Sequence, residues 1–398
     1  MSSRTKTTSR NGTACLHVTA LDDDLAYITA VPAAHDDPQQ AAAAVYGKVA
    51  EFLADLRMEI VHERVFGSLV SHERVLAGRR IALLAGGVSA ETPASYLQGR
   101  PFWGEGLAGV NLMAVGATSP KAVWTIADKS GVPSGRAWRR HGATFLFLQS
   151  MHGRVEGNGA DNSRDAQADR MFLRADELLR SQKTSYQNVT RTWIYLSKIL
   201  DWYNDFNSVR SRRYAALGLM PEPEEAGGNH LLLPASTGIE GYGPAGAAAA
   251  MDVLATVLEP DSPIEIHQMT NRKQKDAFRY GSAFSRGAAI RMPQATWISI
   301  SGTAAIDEDG VSLLPGDFRG QMNQTLDTIE ALIAQEGATL ADLCDVSLFV
   351  KRPEDAATCG EVLAERGLQD LPGVPVIADV CRDDLLFEAD GAAVVAKT

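Results

Sequence analysis

Cysteine is scarce and scattered in this chain of 398 residues. The four cysteines, Cys15, Cys344, Cys359 and Cys381, form no CxxC pair. Such spacing fits neither a disulfide framework nor a structural zinc site, so it indicates a reducing compartment. Because no window approaches about 18 uninterrupted apolar residues, a transmembrane helix is excluded. Residues 1–11 are rich in Ser, Thr and basic residues but lack a following apolar segment, so they predict a tail rather than a signal peptide, and the expected location is the cytoplasm.

Positive charge is also in short supply. Lys and Arg number 38 against 49 Asp and Glu, which gives a formal net charge of -11. A protein that tracks nucleic acid needs a basic face, and this balance argues against that class. A pocket can still be basic within an acidic shell, so an anionic small substrate is compatible with the composition. With 45% hydrophobic and 22% charged residues, the chain predicts a globular protein of two or three domains.

An internal repeat is the most informative feature of the sequence. Residues 172–196 and 326–350 align without a gap. Each copy has apolar residues at helical spacing, then a polar break, then a β-rich run, VTRTWIYL in one and LCDVSLFV in the other. A strand-like segment precedes each helix, at 143–148 and 295–300, and a Leu-Pro pair follows each unit, at Leu233-Pro234 and Leu371-Pro372.

The repeat predicts an α+β fold with two duplicated β-α-β units, each a mixed sheet with helices packed on one side. Polar, Gly- and Pro-rich stretches at 153–168, 221–229 and 260–274 predict exposed connections, and the last of them marks the domain boundary. We therefore expect a flexible tail at 1–14, an N-terminal domain at 15–260 with extra strands and a helix at its start, and a C-terminal domain at 275–398.

A glycine pattern at Gly104, Gly106 and Gly109 matches the GxGxxG string of dinucleotide-binding folds. That site requires a strand before the pattern and a helix after it. Here RPFW precedes it, and the following residues 110–115 (VNLMAV) are strand-like. The pattern therefore predicts a glycine-rich turn and no Rossmann cofactor site.

Several longer strings resemble the chorismatase family, and the duplicated unit resembles the YjgF/RidA fold, which is also described as chorismate mutase-like. These strings are 99–109 (GRPFWGEGLAG), 142–149 (GATFLFLQ), 191–207 (RTWIYLSKILDWYNDFN), 233–239 (LPASTGI), 280–286 (YGSAFSR) and 379–388 (DVCRDDLLFE). The resemblance implies an enzyme that acts on chorismate and releases pyruvate, without a metal or organic cofactor. It implies either 3-hydroxybenzoate or, in a hydrolytic branch, a dihydroxycyclohexadiene carboxylate as the second product. The active site is expected in the C-terminal half near the domain interface.

Glu388 is the candidate catalytic acid. Pyruvate release from an enol ether begins with protonation of its methylene carbon, which requires a carboxylic acid kept protonated by burial. Composition alone would favour a solvated strand residue at this position. The resemblance places the catalytic glutamate of the family at Glu388.

Cys381 and Gly287 are the residues that the resemblance connects with the 3-hydroxybenzoate branch. Cys381 lies seven positions before Glu388, and in one continuous strand this odd separation would put the two side chains on opposite faces. The intervening Arg382-Asp383-Asp384 is typical of a turn, which could bring both groups to one pocket. An inert core residue is the ordinary alternative for a lone cysteine.

The two carboxylates of such a substrate require guanidinium partners. Arg191 shares one strand face with Trp193 and Tyr195, so we expect it to bind a ring carboxylate, although a surface arginine would show the same pattern. Tyr203, Tyr280 and Arg286 are further candidate substrate contacts. A packing role for Tyr203 and a structural ion pair for Arg286 are the alternatives.

A catalytically inactive RidA-like protein that binds a metabolite is the alternative function. An imine deaminase is disfavoured because the arginine that such enzymes carry after the terminal proline is absent, with Gly373 after Pro372 and Ala235 after Pro234. The predicted partner is a small molecule, chorismate, with no nucleic acid and no membrane. The sequence leaves open a monomer with pseudo-symmetric halves or a trimer.

Overall fold

The structure is a computed structural model that describes residues 4–10, 12–21, 24–33, 37–116, 122–157, 160–219, 233–271 and 283–397. Across these ranges the chain forms three sheets of six strands. Each sheet is accompanied by two α-helices, which lie in sequence between its third and its last strand. We call the three sheet-and-helix assemblies units one, two and three, in chain order.

Unit one covers residues 4–116. Its elements are β1 (Arg4–Arg10), β2 (Ala14–Leu21), β3 (Leu25–Pro32), α1 (Pro38–Leu56), β4 (Met58–Gly67), α2 (His72–Ala85), β5 (Ser95–Gln98) and β6 (Leu107–Gly116).

Unit two covers residues 123–258. Its elements are β7 (Val123–Ala127), β8 (Pro133–Arg140), β9 (Ala143–His152), α3 (Arg164–Ser181), β10 (Val189–Leu196), α4 (Tyr203–Ala216), β11 (Ala235–Glu240) and β12 (Ala249–Leu258).

Unit three covers residues 265–396. Its elements are β13 (Glu265–Met269), β14 (Gly287–Arg291), β15 (Ala295–Ala304), α5 (Phe318–Ile333), β16 (Leu343–Val350), α6 (Ala356–Glu365), β17 (Gly373–Ile377) and β18 (Phe387–Ala396).

The three units share one topology. Their strand orders are β1-β2-β3-β6-β4-β5, β7-β8-β9-β12-β10-β11 and β13-β14-β15-β18-β16-β17, in which each element has a counterpart in the other two units. The edge strands β5, β11 and β17 pair in parallel with β4, β10 and β16, and the remaining pairs are antiparallel. The fold is therefore α+β with mixed sheets, as the sequence predicts.

The predicted number of units is wrong, because the chain contains three and not two. Units two and three are the copies that the gap-free alignment detects, and in both of them several residues with a 3₁₀ turn separate the long helix from the next strand. In unit one, α1 ends at Leu56 and β4 begins at Met58, so Arg57 alone, with φ 51°, makes the connection. A copy without the polar break does not align with the other two, which is why the sequence predicts an extended N-terminal domain in place of a third unit.

The N-terminal segment also differs from the sequence-based expectation. Where a tail at 1–14 was predicted, residues Arg4–Arg10 form β1 and pair with β2 over their whole length. Alternating Thr, Lys, Ser and Arg side chains make this strand polar and exposed, which resembles a loop in composition. The connection between β12 and β13 at residues 259–264 lies close to the predicted domain boundary.

Each unit has its own core between its sheet and its helices. The helix positions predicted to be apolar are all buried, namely Phe172, Ala175, Leu178, Leu179, Leu326, Ile329, Leu332 and Ile333. Side chains of Asp37, Ser163 and Asp317 accept hydrogen bonds from backbone N–H groups at the start of α1, α3 and α5. These caps fix where the long helices begin, and thus how they lie on their sheets. None of the described helices is both long and apolar enough to cross a membrane.

The opposite faces of the three sheets meet in a shared central core. Phe66, Trp193 and Phe349 of the three units belong to it. Buried charges join the units there, since Arg64 of unit one pairs with Asp345 of unit three at 2.8 Å. Such pairs are expensive to break because the remaining charge is left in a nonpolar environment. This buried ion pair therefore fixes the position of unit one relative to unit three.

Candidate active site

A large cavity lies at the seam between units two and three. We call it the first cleft; its volume is about 890 Å³. Helix α4 and β11 of unit two form one wall, and β15, β18 and the segment before β14 form the other. Side chains that carry its chemistry are Tyr203, Arg210, Arg286, Cys381, Arg382 and Glu388.

Hydrogen bonds across this seam determine how the two walls meet. Ser301 lies in a bulge of β15, and its hydroxyl accepts from the backbone N–H of Ser236 at 2.9 Å and donates to the carbonyl of Ser285 at 2.6 Å. The backbone N–H of Ser285 in turn donates to the carbonyl of Pro234 at 3.0 Å. These bonds place the Leu-Pro segment of unit two directly beside the catalytic candidates of unit three.

Glu388 lies on β18 with 4% of its surface exposed and faces the first cleft. Burial raises its pKa to about 8, and the charge of Asp390 contributes in the same direction, whereas Arg191 and Arg286 lower it. A Cβ atom at Gly302 would lie 2.1 Å from the Glu388 Oε1 atom, so the carboxyl occupies the space that this glycine leaves open. The arrangement provides a carboxylic acid that is largely protonated at neutral pH.

Cys381 lines the same cleft as Glu388. Residues 379–384 form a turn and not a strand. The strand alternation that would put Cys381 and Glu388 on opposite faces therefore does not apply. Burial raises the pKa of Cys381 to about 12, and the charge of Glu388 adds to this effect. The thiol is therefore neutral under ordinary conditions, which disfavours nucleophilic attack by a thiolate.

Two arginines contact the same aromatic ring on the cleft wall. The guanidinium carbon of Arg210 lies 5.4 Å from the centre of the Phe284 ring, and that of Arg286 lies 5.5 Å from it. Both side chains are at least 95% buried and both line the cleft. Arg210 donates to Asn207 Oδ1 at 2.6 Å, while its buried Nε atom has no partner. Close, oriented guanidinium groups give the cleft two positions for anionic oxygens.

Tyr203 also lines the first cleft, at the start of α4. Its ring packs over Gly238 of β11, where a Cβ atom would lie 3.5 Å from the tyrosine hydroxyl. The predicted contact Tyr280 lies outside the described residues.

Arg191 lies behind the cleft rather than on its wall. It is fully buried, donates to Asp390 Oδ2 at 3.1 Å and to the Thr237 hydroxyl at 2.6 Å, and stacks 4.7 Å from the Trp193 ring. The predicted shared face of Arg191, Trp193 and Tyr195 is present, but it points to the central core. This geometry differs from the expected direct contact with a substrate carboxylate, because the guanidinium is already paired with a buried aspartate.

Gly287 begins β14 and does not line the first cleft. A Cβ atom there would lie 2.9 Å from the Ser299 carbonyl oxygen of the neighbouring strand. Gly135 holds the same register in unit two, and a Cβ atom there would lie 2.1 Å from the Phe147 carbonyl oxygen. Close strand packing therefore accounts for glycine at this position in both units, without a substrate contact.

Arg210 is the main cleft residue that the sequence analysis missed. Tyr203, Asn207 and Arg210 follow the spacing i, i+4, i+7 along α4, which places them on one helix face toward the cleft. That spacing is visible in the sequence and could have identified Arg210. Within the described residues, no group of three or more His, Cys, Asp or Glu side chains is placed to hold a metal ion.

Equivalent seams between the other units have different chemistry. The strand pairing aligns Glu388 opposite Phe349, Ala250 opposite Tyr195 and Gly109 opposite Phe66. A carboxyl group thus occurs at this register in unit three, whereas units one and two have glycine and alanine there.

Comparison with known proteins supports the architecture. Residues 276–380 match the family described as "Endoribonuclease L-PSP". A chorismatase of Streptomyces hygroscopicus is 28% identical over 284 residues, which cover 66% of this chain and 75% of the relative. A 3-hydroxybenzoate synthase of the same organism is 26% identical over 312 residues, covering 71% of this chain and 84% of the relative. The chain is similar to these two enzymes over most of its length.

The chain also resembles a solved structure in its fold. A crystal structure of a chorismatase superposes with a TM-score of 0.58 and 20% identity, covering 84% of this chain and 93% of that one. A RutC family protein of Pyrococcus horikoshii is 30% identical over 99 residues, covering 24% of this chain and 78% of the relative. The chain therefore has RidA/YjgF-like units.

Proposed function

We propose that this chain converts chorismate to pyruvate and 3-hydroxybenzoate in the first cleft. The observation that carries the proposal is the buried Glu388 carboxyl on the wall of a cavity that also contains two arginines on one aromatic ring. Relatives named chorismatase and 3-hydroxybenzoate synthase support the substrate class.

Glu388 is the proposed proton donor. Its raised pKa of about 8 keeps the proton on the carboxyl until the substrate arrives. Transfer to the terminal methylene carbon of the enolpyruvyl group gives an oxocarbenium-like centre at the ether carbon. Water then adds to this centre, and collapse of the resulting hemiketal breaks the bond between the ether carbon and the ring oxygen, which releases pyruvate. One proton of the water ends on the ring oxygen as a hydroxyl group, and the other restores the acid form of Glu388. The carboxylate left on Glu388 is stabilised by Arg191 and Arg286, both of which lower its pKa.

Arg210 and Arg286 are the proposed partners of the two substrate carboxylates. Their shared contact with Phe284 fixes the distance between them, and guanidinium groups bind carboxylates in a bidentate manner. Tyr203, on the same face of α4 as Arg210, can add a hydroxyl donor. Such fixed contacts would hold the enol ether against Glu388, which is the positioning that a slow proton transfer to carbon requires.

Cys381 is the proposed determinant of the aromatic product. Conversion of chorismate to pyruvate and 3-hydroxybenzoate consumes no net water, because the water used in ether cleavage is lost again when the ring becomes aromatic. A neutral thiol beside the acid would contact the ring or transfer a proton during that loss. The hydrolytic product, a dihydroxycyclohexadiene carboxylate, is the alternative outcome.

Incubation of the purified full-length chain with chorismate tests the proposal. We expect pyruvate and an equal amount of 3-hydroxybenzoate, identified by mass spectrometry and by the ultraviolet absorption of the aromatic ring. Pyruvate with a non-aromatic diol would assign the chain to the hydrolytic branch. Absence of pyruvate would refute chorismate cleavage and favour the metabolite-binding alternative.

The variant Cys381→Ala tests the product assignment separately. We expect pyruvate release to continue while the fraction of 3-hydroxybenzoate falls and the diol appears, because the acid step does not use the thiol. Cys359→Ala is the matched control, since Cys359 is buried in the core of unit three away from the cleft. An unchanged product ratio in Cys381→Ala would remove this residue from product control.

A further inference from the structure

Asp390 lies directly behind the candidate acid. It is two positions after Glu388 on β18, and residues two apart in a strand point to the same face. Glu388 lines the first cleft, whereas Asp390 is 1% exposed and is not part of the cleft wall. A second carboxyl group therefore stands next to the acid, in the protein interior.

Contacts from the other two units hold the Asp390 carboxylate in place. Its Oδ2 atom accepts hydrogen bonds from the Thr237 hydroxyl at 2.7 Å and from Arg191 at 3.1 Å, both in unit two. Arg191 also donates to the Thr237 hydroxyl at 2.6 Å, so the three polar groups form a closed triangle. From unit one, Arg64 Nη1 lies 3.6 Å from Asp390 Oδ1. The position of this buried carboxylate is therefore fixed by its partners.

The buried charges balance when Glu388 is neutral. Arg191 pairs with Asp390, and Arg64 pairs with Asp345 at 2.8 Å, so two cations face two anions. Ionisation of Glu388 would add a negative charge two residues from Asp390, where both side chains are buried. A like charge nearby disfavours the ionisation of an acid. The arrangement therefore favours the protonated form of Glu388.

Groups on the neighbouring elements act on the same carboxyl. Burial and, after it, the charge of Asp390 raise the pKa of Glu388, while Arg191 from β10 and Arg286 from the segment before β14 lower it. Cys381 from the turn before β18 is neutral, because burial raises its pKa to about 12. The remaining charged or titratable side chains that line the cleft are Asp201, Tyr203, Asp205, Arg210 and Arg382. The charge of Asp390 therefore opposes that of two arginines.

The other units show which side chains the same position accepts. Asp252 of unit two and Asn111 of unit one hold the register of Asp390. Asn111 is 1% exposed, accepts from the Thr29 hydroxyl at 3.1 Å and donates to the Val346 carbonyl at 3.3 Å. An asparagine at this register is therefore compatible with the fold, which makes it a suitable replacement for Asp390.

We propose that Asp390 is a positioning residue that holds the catalytic proton on Glu388, with its own charge fixed by the ion pair to Arg191. This role rests on the proposed function for its effect on turnover, because only a reaction that uses the acid form depends on that proton. The proton affinity of Glu388 can nevertheless be measured without chorismate. A failure of chorismate cleavage would thus leave the role of Asp390 open to test.

Infrared titration of the full chain tests this role without substrate. Glu388→Gln supplies the reference, so the difference spectrum gives the titration midpoint of the Glu388 carboxyl band. We expect a midpoint at about 8 in the unaltered chain. In Asp390→Asn it should be lower by roughly 1 to 2 pH units, because a neighbouring like charge is removed. Asp252→Asn is the matched control, since it makes the same change at the same register of unit two, and it should leave the midpoint in place.

The pH profile of pyruvate formation gives a second measurement. In Asp390→Asn the rate should begin to fall at a pH lower by the same roughly 1 to 2 units. At about pH 5 the rate should stay within about twofold of that of the unaltered chain, because the acid form is almost fully populated there. A purely structural loss would instead lower the rate equally at every pH.

Thermal unfolding of both asparagine variants checks the fold. An unshifted or raised Glu388 midpoint in Asp390→Asn, or an equal shift in Asp252→Asn, would overturn the proposal. So would a midpoint near the ordinary glutamate value of about 4.3 in the unaltered chain, a result that requires no variant to fold. Absence of pyruvate from the unaltered chain would refute the proposed function, and the infrared midpoints would still decide the role of Asp390.

Discussion

The first cleft differs in chemistry from the cavity in the equivalent place between units one and two. We call that cavity the second cleft; its volume is about 240 Å³, and it is lined by Ser150, Ala250 and Asp252 among others. Both border a two-residue bulge in the third strand of the unit, and that bulge carries Gly302 in one and Ser150 in the other. At one equivalent register of the last strand of each unit, the first cleft has Glu388 and the second has Ala250. Both seams form a cavity, but of these two only the one between units two and three has a carboxyl group at this register.

The buried aspartate behind each cleft makes the comparison sharper. Asp390 and Asp252 hold the same register, but Asp390 is paired with Arg191 whereas Asp252 is paired with His62, Ser95 and a backbone N–H. Arg286 of the first cleft is also equivalent to Ser134 of the second, since each directly precedes the matching glycine, Gly287 in unit three and Gly135 in unit two. The first cleft therefore combines arginines with the buried Glu388 carboxyl. The second combines Arg174 with Asp252, whose two carboxylate oxygens already accept hydrogen bonds from the protein.

Glu388→Gln removes the carboxyl group at the register where the second cleft has Ala250, and it has the largest expected effect. Loss of general acid catalysis should slow pyruvate release from chorismate by roughly 10²- to 10⁴-fold. Glutamine is nearly isosteric, so the thermal unfolding midpoint should stay close to that of the unaltered chain. Asp201→Asn is the control, because it is an exposed carboxylate at the rim of the same cleft. Near-normal turnover of Glu388→Gln would exclude this residue as the acid.

Gly302→Ala tests whether the bulge positions the acid. The added Cβ would lie 2.1 Å from Glu388 Oε1 and 3.3 Å from Thr237 Cγ2, so the carboxyl must move. We expect turnover to fall by roughly 10- to 100-fold, the effect of displacing a catalytic group by about 1 Å. Gly360→Ala adds the same methyl group where no atom lies within 4 Å and should have no effect. If both variants retain full turnover, the space at Gly302 is not needed to position the carboxyl.

The pH dependence of turnover provides a third and smaller test. Since Glu388 acts in its protonated form and its pKa is raised to about 8, the rate should be flat below that pH and fall above it. Above this pKa the rate should fall about tenfold per pH unit, because the protonated fraction of Glu388 falls about tenfold with each unit. Initial rates of pyruvate formation between about pH 6 and 9.5 measure it. A rate that rises with pH across this range would instead indicate a base.

The sequence predicts much of units two and three and little of unit one. Periodic apolar residues and an ungapped repeat identify α3, α5 and the strands that follow them, because the same local pattern is repeated there. Unit one lacks the connecting turn, so only the structure shows that α1 and β4 follow the same plan. Local pattern detects a repeat only when its spacing is preserved.

The candidate site divides in a similar way. Glu388, Cys381, Tyr203 and Arg286 lie around one cavity, which the family resemblance anticipates. The position of Arg191 depends on its ion pair with Asp390, a residue nearly 200 positions later, and no short-range pattern contains that information. The glycine at 287 has a packing cause that becomes visible only when the opposing strand is placed against it.

Covalent linkage of the three units lets each seam evolve separately. In a ring of three identical subunits, any substitution appears at every interface, so an acid at this register would be buried three times. Each copy would then carry its own desolvation penalty. Here one seam bears that penalty, because Gly109 and Ala250 stand at the equivalent register of the other two.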